Sequence, residues 1–187
     1  MDQLLHRETT KKPRILVAPL DWGLGHSTRC IPIILELIRQ DCEVVLAGEG
    51  AQKQLLQAEF PHLHFLDLPG YRIQYARSKR GLFWKMIGQG SKLKRAIKDE
   101  HEWLMARVSK ENINGVISDN RYGLHHPSIP CIFVTHQLLI KTFMGGWTEK
   151  ILQNKNYTYI NRFRECWVPD NGSDNNLAGS LSHPTTT

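Results

Sequence analysis

The chain has no CxxC pair. Its four cysteines, Cys30, Cys42, Cys131 and Cys166, lie far apart, which excludes a zinc ribbon or a dithiol redox motif and leaves buried, reduced thiols as the expectation. No run approaches 18 consecutive apolar residues, so no helix is expected to span a bilayer. The opening MDQLLHRETTKK lacks the apolar stretch of a secretory signal, and a cytoplasmic protein is expected. There are no internal repeats, no His, Cys, Asp or Glu cluster at metal-ligand spacing, and no Gly-Lys-Ser/Thr after a glycine loop. Neither a metal nor a resident cofactor is expected.

What is present is ordinary for a globular protein: 187 residues, 41% apolar and 22% charged. That is enough for one domain, or one domain and the start of another. The net charge of +6 is unevenly spread. Between Tyr71 and Lys110 there are eleven Lys or Arg against only Asp99, Glu100 and Glu102, so the remainder is slightly acidic. Such a stretch suits phosphates or an anionic lipid surface; no recognition motif points to nucleic acid.

Strand and helix signals alternate along the chain. Arg14 to Leu20 is a continuous apolar run, the pattern of a parallel strand covered on both faces. A glycine turn follows, then a helix whose expected buried stripe is Ile31, Ile34, Leu35 and Ile38. Ser27 or Thr28 is its expected cap, and Pro32 implies a late start or a slight kink. Further strands are expected at CEVVLAG (42–48), LHFLDLP (63–69), within INGVISDNRYG (113–123), IPCIFVTHQL (129–138) and ECWVPD (165–170). Helices are expected at 51–60, up to about Lys110 with Trp103, Leu104, Met105 and Val108 inward, and from about Trp147 to Phe163. Repeated β-α units of this kind predict an α/β, Rossmann-like, doubly wound and mostly parallel sheet over 13–170. Residues 1–12 read as a flexible start, and 171–187 as a linker or the start of a further domain.

Ligands on such sheets bind beyond the carboxyl ends of the strands. Three polar motifs fall there: DWGLGHSTR (21–29), Asp119-Asn120-Arg121 and Thr135-His136-Gln137. Gly23 and Gly25 allow positive φ and close backbone approach, and the helix that follows offers free N–H groups. Gly23, Gly25, Ser27, Arg29, Asn120, Arg121, His136 and Gln137 are therefore candidate acceptor- or phosphate-binding residues. As a dinucleotide fingerprint the loop lacks its third glycine, with Thr28 in that place. His26 is the candidate general base, since the helix dipole disfavours the imidazolium and a neutral ring is what a base needs. Asp119 is the candidate carboxylate to hold it. Arg121 could pair with Asp119 or grip an anionic substrate group.

GLGHSTRCIPIILEL resembles the Gly-x-Gly-His loop and first helix of GT-B glycosyltransferases. It looks most like the peptidoglycan N-acetylglucosaminyltransferases, the monogalactosyldiacylglycerol synthases and their bacterial relatives. VISDNRYG and FVTHQL look similar to the same group, with His136-Gln137 in place of a longer His-Glu-Gln-Asn stretch. The resemblance covers roughly 13–170. It implies two Rossmann-like domains facing across a cleft, no catalytic metal, and a nucleotide sugar, commonly a UDP-sugar, bound mainly by the C-terminal domain. This chain then corresponds to the N-terminal, acceptor-binding half, inactive alone. Carried over, His26 is the base or a ligand of the donor phosphates, and Asp119 its partner. The resemblance also implies docking on the inner face of a membrane to reach a lipid-linked acceptor, with Phe83, Trp84 and Lys85 as contact candidates.

Two other readings compete with an inverting transferase acting on a hydroxyl acceptor. One is an NAD(P)-dependent oxidoreductase, which Thr28 opposes and Glu49, close after the second strand, favours. The other is a non-catalytic half that recruits a separate donor-domain subunit.

Overall fold

Three segments, RILVAP, EVVLAG and GVISD, are apolar almost throughout rather than alternating, and in the structure each lies at the centre of a sheet with helices on both faces. The computed structural model describes residues 11–71, 90–136, 138 and 146–169. Residues 1–10, the expected linker 171–187, Gln137 and the membrane candidates Phe83, Trp84 and Lys85 lie outside the described residues. The elements run β1 (Arg14–Pro19), α1 (Leu24–Arg39), β2 (Glu43–Gly48), α2 (Gly50–Glu59), β3 (His64–Asp67), α3 (Gly90–Val108), β4 (Gly115–Asp119), β5 (Cys131–Val134), α4 (Gly146–Ile160) and β6 (Glu165–Trp167).

The six strands pair in parallel in the order β3-β2-β1-β4-β5-β6. This is a doubly wound, Rossmann-like sheet. The chain winds outward from β1 to β3, then returns to place β4 on the other side of β1, so the winding reverses between β1 and β4. Register puts Asp119 opposite Pro19, and Leu20 N–H donates to Asp119 O at 3.0 Å. The loop after β1 and the loop after β4 therefore leave the sheet side by side.

Alternation along the strands divides the core. Leu16, Ala18, Val45, Ala47, Val116 and Phe133 face Leu104 and Val108 of α3 and Ile160 of α4. Val17, Val44, Leu46, Ile117 and Val134 face Cys30 and Ile34 of α1 and Leu56 of α2. The leucines at 16, 46, 56 and 104 are wholly buried, and truncating any one to Ala is expected to cost about 2–5 kcal/mol.

The phase of two helices differs from expectation. In α1 the buried residues are Ser27, Cys30 and Ile34, while Leu35 is 52% exposed and Ile38 38%. Residues 27, 30 and 34 and residues 31, 35 and 38 both have helical spacing, so periodicity alone cannot choose between the stripes. The polar side chains at 26 and 29 decide it, because they turn toward the buried Asp119. The helix also starts early, at Leu24, and runs through Pro32; the Thr28 carbonyl consequently loses its usual intrahelical donor. In α3, Leu104 and Val108 are buried as expected, whereas Met105 is exposed. Trp103 is half-buried, and its indole N–H donates to Asp67 O at 2.9 Å.

Candidate active site

The turn into α1 is made by Gly23 alone, whose φ of 92° suits glycine. Gly25 already lies inside the helix, outside the positive-φ region. A Cβ at Gly25 would meet nothing within 4 Å, so its backbone is open to approach. Among the described residues, no side chain caps the helix. Thr28 Oγ1 instead donates back to Gly25 O at 3.1 Å. Ser27 is fully buried, and its hydroxyl has no hydrogen-bond partner among the described residues.

Three residues of α1 at i, i+3 and i+4 share the face toward the end of β4: His26, Arg29 and Cys30. All three approach the Asp119 carboxylate, whose side chain is completely buried. His26 Nδ1 is 2.9 Å from Asp119 Oδ2. Arg29 Nη2 donates to Asp119 Oδ1 at 2.5 Å. Cys30 Sγ lies 4.0 Å from Oδ2, and Asn120 Nδ2 donates to Oδ1 at 3.2 Å. Asn120 adopts φ 58°, a left-handed conformation that asparagine tolerates better than most residues.

Arg29 also brings in the third motif. Its Nη1 donates to His136 Nδ1 at 2.7 Å, and its Nη2 lies 2.8 Å from His26 Nδ1. Because a guanidinium only donates, His136 Nδ1 accepts and the ring proton sits on Nε2. His26 Nδ1 cannot donate to the carboxylate and accept from Arg29 at once. The charge-assisted bond to the buried Asp119 is the stronger, so we assign the proton to Nδ1, which leaves the Nε2 lone pair without a hydrogen-bond partner among the described residues. The His136 pKa is lowered, chiefly by burial and then by the electrostatic influence of Arg29 and His26, with Asp119 opposing. The Cys30 thiol is raised well above its usual range, first by burial and then by Asp119; it stays protonated and is no nucleophile.

Arg121 is placed differently from both expectations. It is fully buried and turned away from Asp119. Its Nε donates to Glu100 Oε1 at 2.5 Å, Nη1 to Pro19 O at 3.2 Å and Nη2 to Pro69 O at 2.6 Å. Glu100 Oε2 accepts from Tyr71 Oη at 2.8 Å and from Gly123 N–H at 2.7 Å. With its donors so engaged, Arg121 holds no substrate; it ties the ends of β1, β3 and β4 to α3 beneath the site. The sequence reading missed this role because nothing in the loop identifies a partner 21 residues upstream.

His26, Arg29, Asp119, Asn120 and His136 thus converge from three segments, a geometry suited to proton abstraction beside a positively charged group. Among the described residues, no three His, Cys, Asp or Glu side chains are placed to hold a metal ion.

No protein-family model and no curated protein matches this sequence. Solved structures do match its fold. Arabidopsis thaliana UGT89C1 complexed with UDP is similar over 84% of this chain and 45% of its own, with 14% identity and a TM-score of 0.56. MurG of Acinetobacter baumannii is similar over 84% and 41%, with 14% identity and a TM-score of 0.51. The glycosyltransferase SnogD from Streptomyces nogalater is similar over 84% and 44%, with 14% identity and a TM-score of 0.50. The chain spans less than half the length of each. It has the Rossmann-like fold of one domain of a GT-B glycosyltransferase.

Proposed function

We propose that this chain is the N-terminal, acceptor-binding half of an inverting glycosyltransferase that uses a nucleotide sugar, a UDP-sugar in particular. The observation that carries the reading is the 2.9 Å contact between His26 Nδ1 and the buried Asp119, at the point where the sheet reverses its winding. His26 Nε2 takes the proton of an acceptor hydroxyl. The hydroxyl oxygen attacks the anomeric carbon from the face opposite the nucleotide diphosphate, whose C–O bond breaks, and the configuration inverts. Asp119 stabilises the imidazolium that forms, as a buried carboxylate does in other His-Asp pairs. Arg29, whose Nη2 lies 2.8 Å from His26 Nδ1, opposes that charge and favours later release of the proton. His136 Nε2–H is left to donate to the acceptor.

The donor half, which neutralises the departing diphosphate, is supplied from outside these 187 residues, by a C-terminal domain or a partner subunit. UDP bound to the structurally similar UGT89C1 supports the choice of donor. A lipid-linked acceptor at a membrane surface remains part of the proposal through the basic stretch. No described helix is long and apolar enough to cross a membrane. The dinucleotide reading is weaker. Asp21 and Glu49 flank the glycine turn, where a pyrophosphate would have to sit, and two carboxylates repel it.

The test is release of UDP from UDP-glucose, UDP-galactose and UDP-N-acetylglucosamine, assayed with the 187-residue chain and with the full-length gene product. Turnover by the full-length product alone is expected. Transfer by the 187 residues unaided contradicts the proposal, and so does none with any donor by the full-length product purified together with any subunit it binds.

A further inference from the structure

The sheet carries buried charge on both faces at the same two strand ends. Asp119 turns toward α1, where His26 meets it. Arg121 turns to the opposite face and meets Glu100 of α3. Stability alone does not account for this second pair. Burial strips a guanidinium and a carboxylate of their hydration, and apolar side chains of the same volume often stabilise such a place as well or better.

What apolar side chains would not reproduce is the set of backbone groups the pair holds. Arg121 Nη1 donates to Pro19 O and Nη2 to Pro69 O, while Nε donates to Glu100. Glu100 Oε2 accepts from Gly123 N–H and from Tyr71 Oη, and Tyr71 Oη accepts in turn from Tyr122 N–H at 2.9 Å. The end of β1, the residues after β3, the turn after β4 and α3 are thereby joined through one guanidinium and one carboxylate.

Two of those segments carry the site. Pro19 is in register with Asp119, and the N–H of the next residue, Leu20, donates to Asp119 O at 3.0 Å. Ser118 Oγ donates to Arg121 O at 2.6 Å, closing a tight turn around Asp119 and Asn120. From Pro19 the chain reaches His26 by way of the Gly23 turn. The 2.9 Å between His26 Nδ1 and Asp119 Oδ2 therefore depends on two strand ends that Arg121 holds from behind. A planar guanidinium aims its donors in a fixed fork, which a lysine ammonium does not. We infer that Arg121, with Glu100, is a positioning residue: it fixes the ends of β1 and β4 so that Asp119 keeps the His26 proton on Nδ1. Its importance for transfer rests on the proposed transferase reading; its effect on the ring does not.

Nitrogen NMR of the His26 ring in the 187-residue chain tests it, in alkaline solution where the neutral tautomers are observed. The wild type is expected to hold the Nδ1–H form. Glu100→Leu combined with Arg121→Met replaces the pair by apolar side chains. Arg121→Lys keeps a cation for Glu100 but loses the fork that spans Pro19 O and Pro69 O. In each variant the ratio of the Nδ1–H to the Nε2–H form should fall about tenfold, the effect of weakening one hydrogen bond to a charged group. Amide spectra establish that each variant is folded, and Arg121→Lys carries the test if the double variant is not. An unchanged ratio in a folded variant overturns the inference, and so does an Arg121→Lys protein that no longer folds, since the pair would then serve the fold alone. The Nε2–H form in the wild type overturns it together with the tautomer assigned to His26. The readout contains no transfer step, so failure of the transferase proposal would leave the inference standing.

Discussion

Asp119 Oδ2 stands 2.9 Å from His26 Nδ1, across 93 residues of sequence, with the carboxylate wholly buried. If that contact fixes the working tautomer, Asp119→Asn should lower transfer by about 10²–10⁴-fold in the full-length enzyme. It should also destabilise the fold, because Arg29 loses its counter-charge. A thermal melt beside the kinetics separates the two effects. Unchanged transfer at full stability would remove Asp119 from the mechanism.

Arg29 acts on His136 through a 2.7 Å contact. Burial is the first cause of the lowered His136 pKa, and Arg29 the second. Arg29→Leu removes a cation and leaves the pull of Asp119, so the His136 pKa should rise, as read from its ring-proton shifts against pH. A fall would mean that Arg29 is not where the structure puts it.

How much of this was legible in the sequence depends on range. The strands were, because β1, β2 and β4 are uninterrupted apolar runs that only a doubly covered sheet explains. The meeting of His26 and Asp119 was legible as well, since the strand order brings the ends of β1 and β4 together. The role of Arg29 and Cys30 was available in the i, i+3, i+4 spacing from His26, but only to a reader who knew which face of α1 met the sheet. The exposure of Leu35 and Ile38 shows how easily that phase is misjudged. Arg121 was not legible at all. A polar Asp-Asn-Arg loop looks like a binding loop, and only three dimensions reveal Glu100 inside the core.

The Arg121–Glu100 pair predicts a large stability effect. Both side chains are buried, so Arg121→Ala leaves a buried carboxylate unpaired and should cost about 3–5 kcal/mol. Replacing both with apolar residues of similar volume should restore much of the loss. Gly123→Ala should be as damaging, since its Cβ would sit 2.3 Å from Ile97 O and 2.8 Å from Glu100 Cβ. Urea denaturation of the four proteins, wild type included, measures all of this.

His125 gives a pH dependence. Its ring stacks on His101 with centroids 4.2 Å apart. Its pKa is pushed down from 6.5 to about 4, first by burial and then by the positive charges of His101, Arg162 and His126. A depressed histidine costs nothing above pH 6.5, where it is neutral folded or unfolded. As pH falls from 6.5 toward about 4, the unfolded chain binds a proton that the folded one refuses, and stability drops. His125→Gln should therefore lose less stability than the wild type between pH 7 and 4.5, measured by urea midpoints. Identical slopes would contradict the burial seen here.

The most direct measurement is UDP release by the full-length gene product carrying His26→Ala, with UDP affinity measured alongside. The proposed base predicts a fall of at least about 100-fold in transfer, with UDP binding within a factor of two of wild type. Transfer at the wild-type rate would contradict His26 as the base.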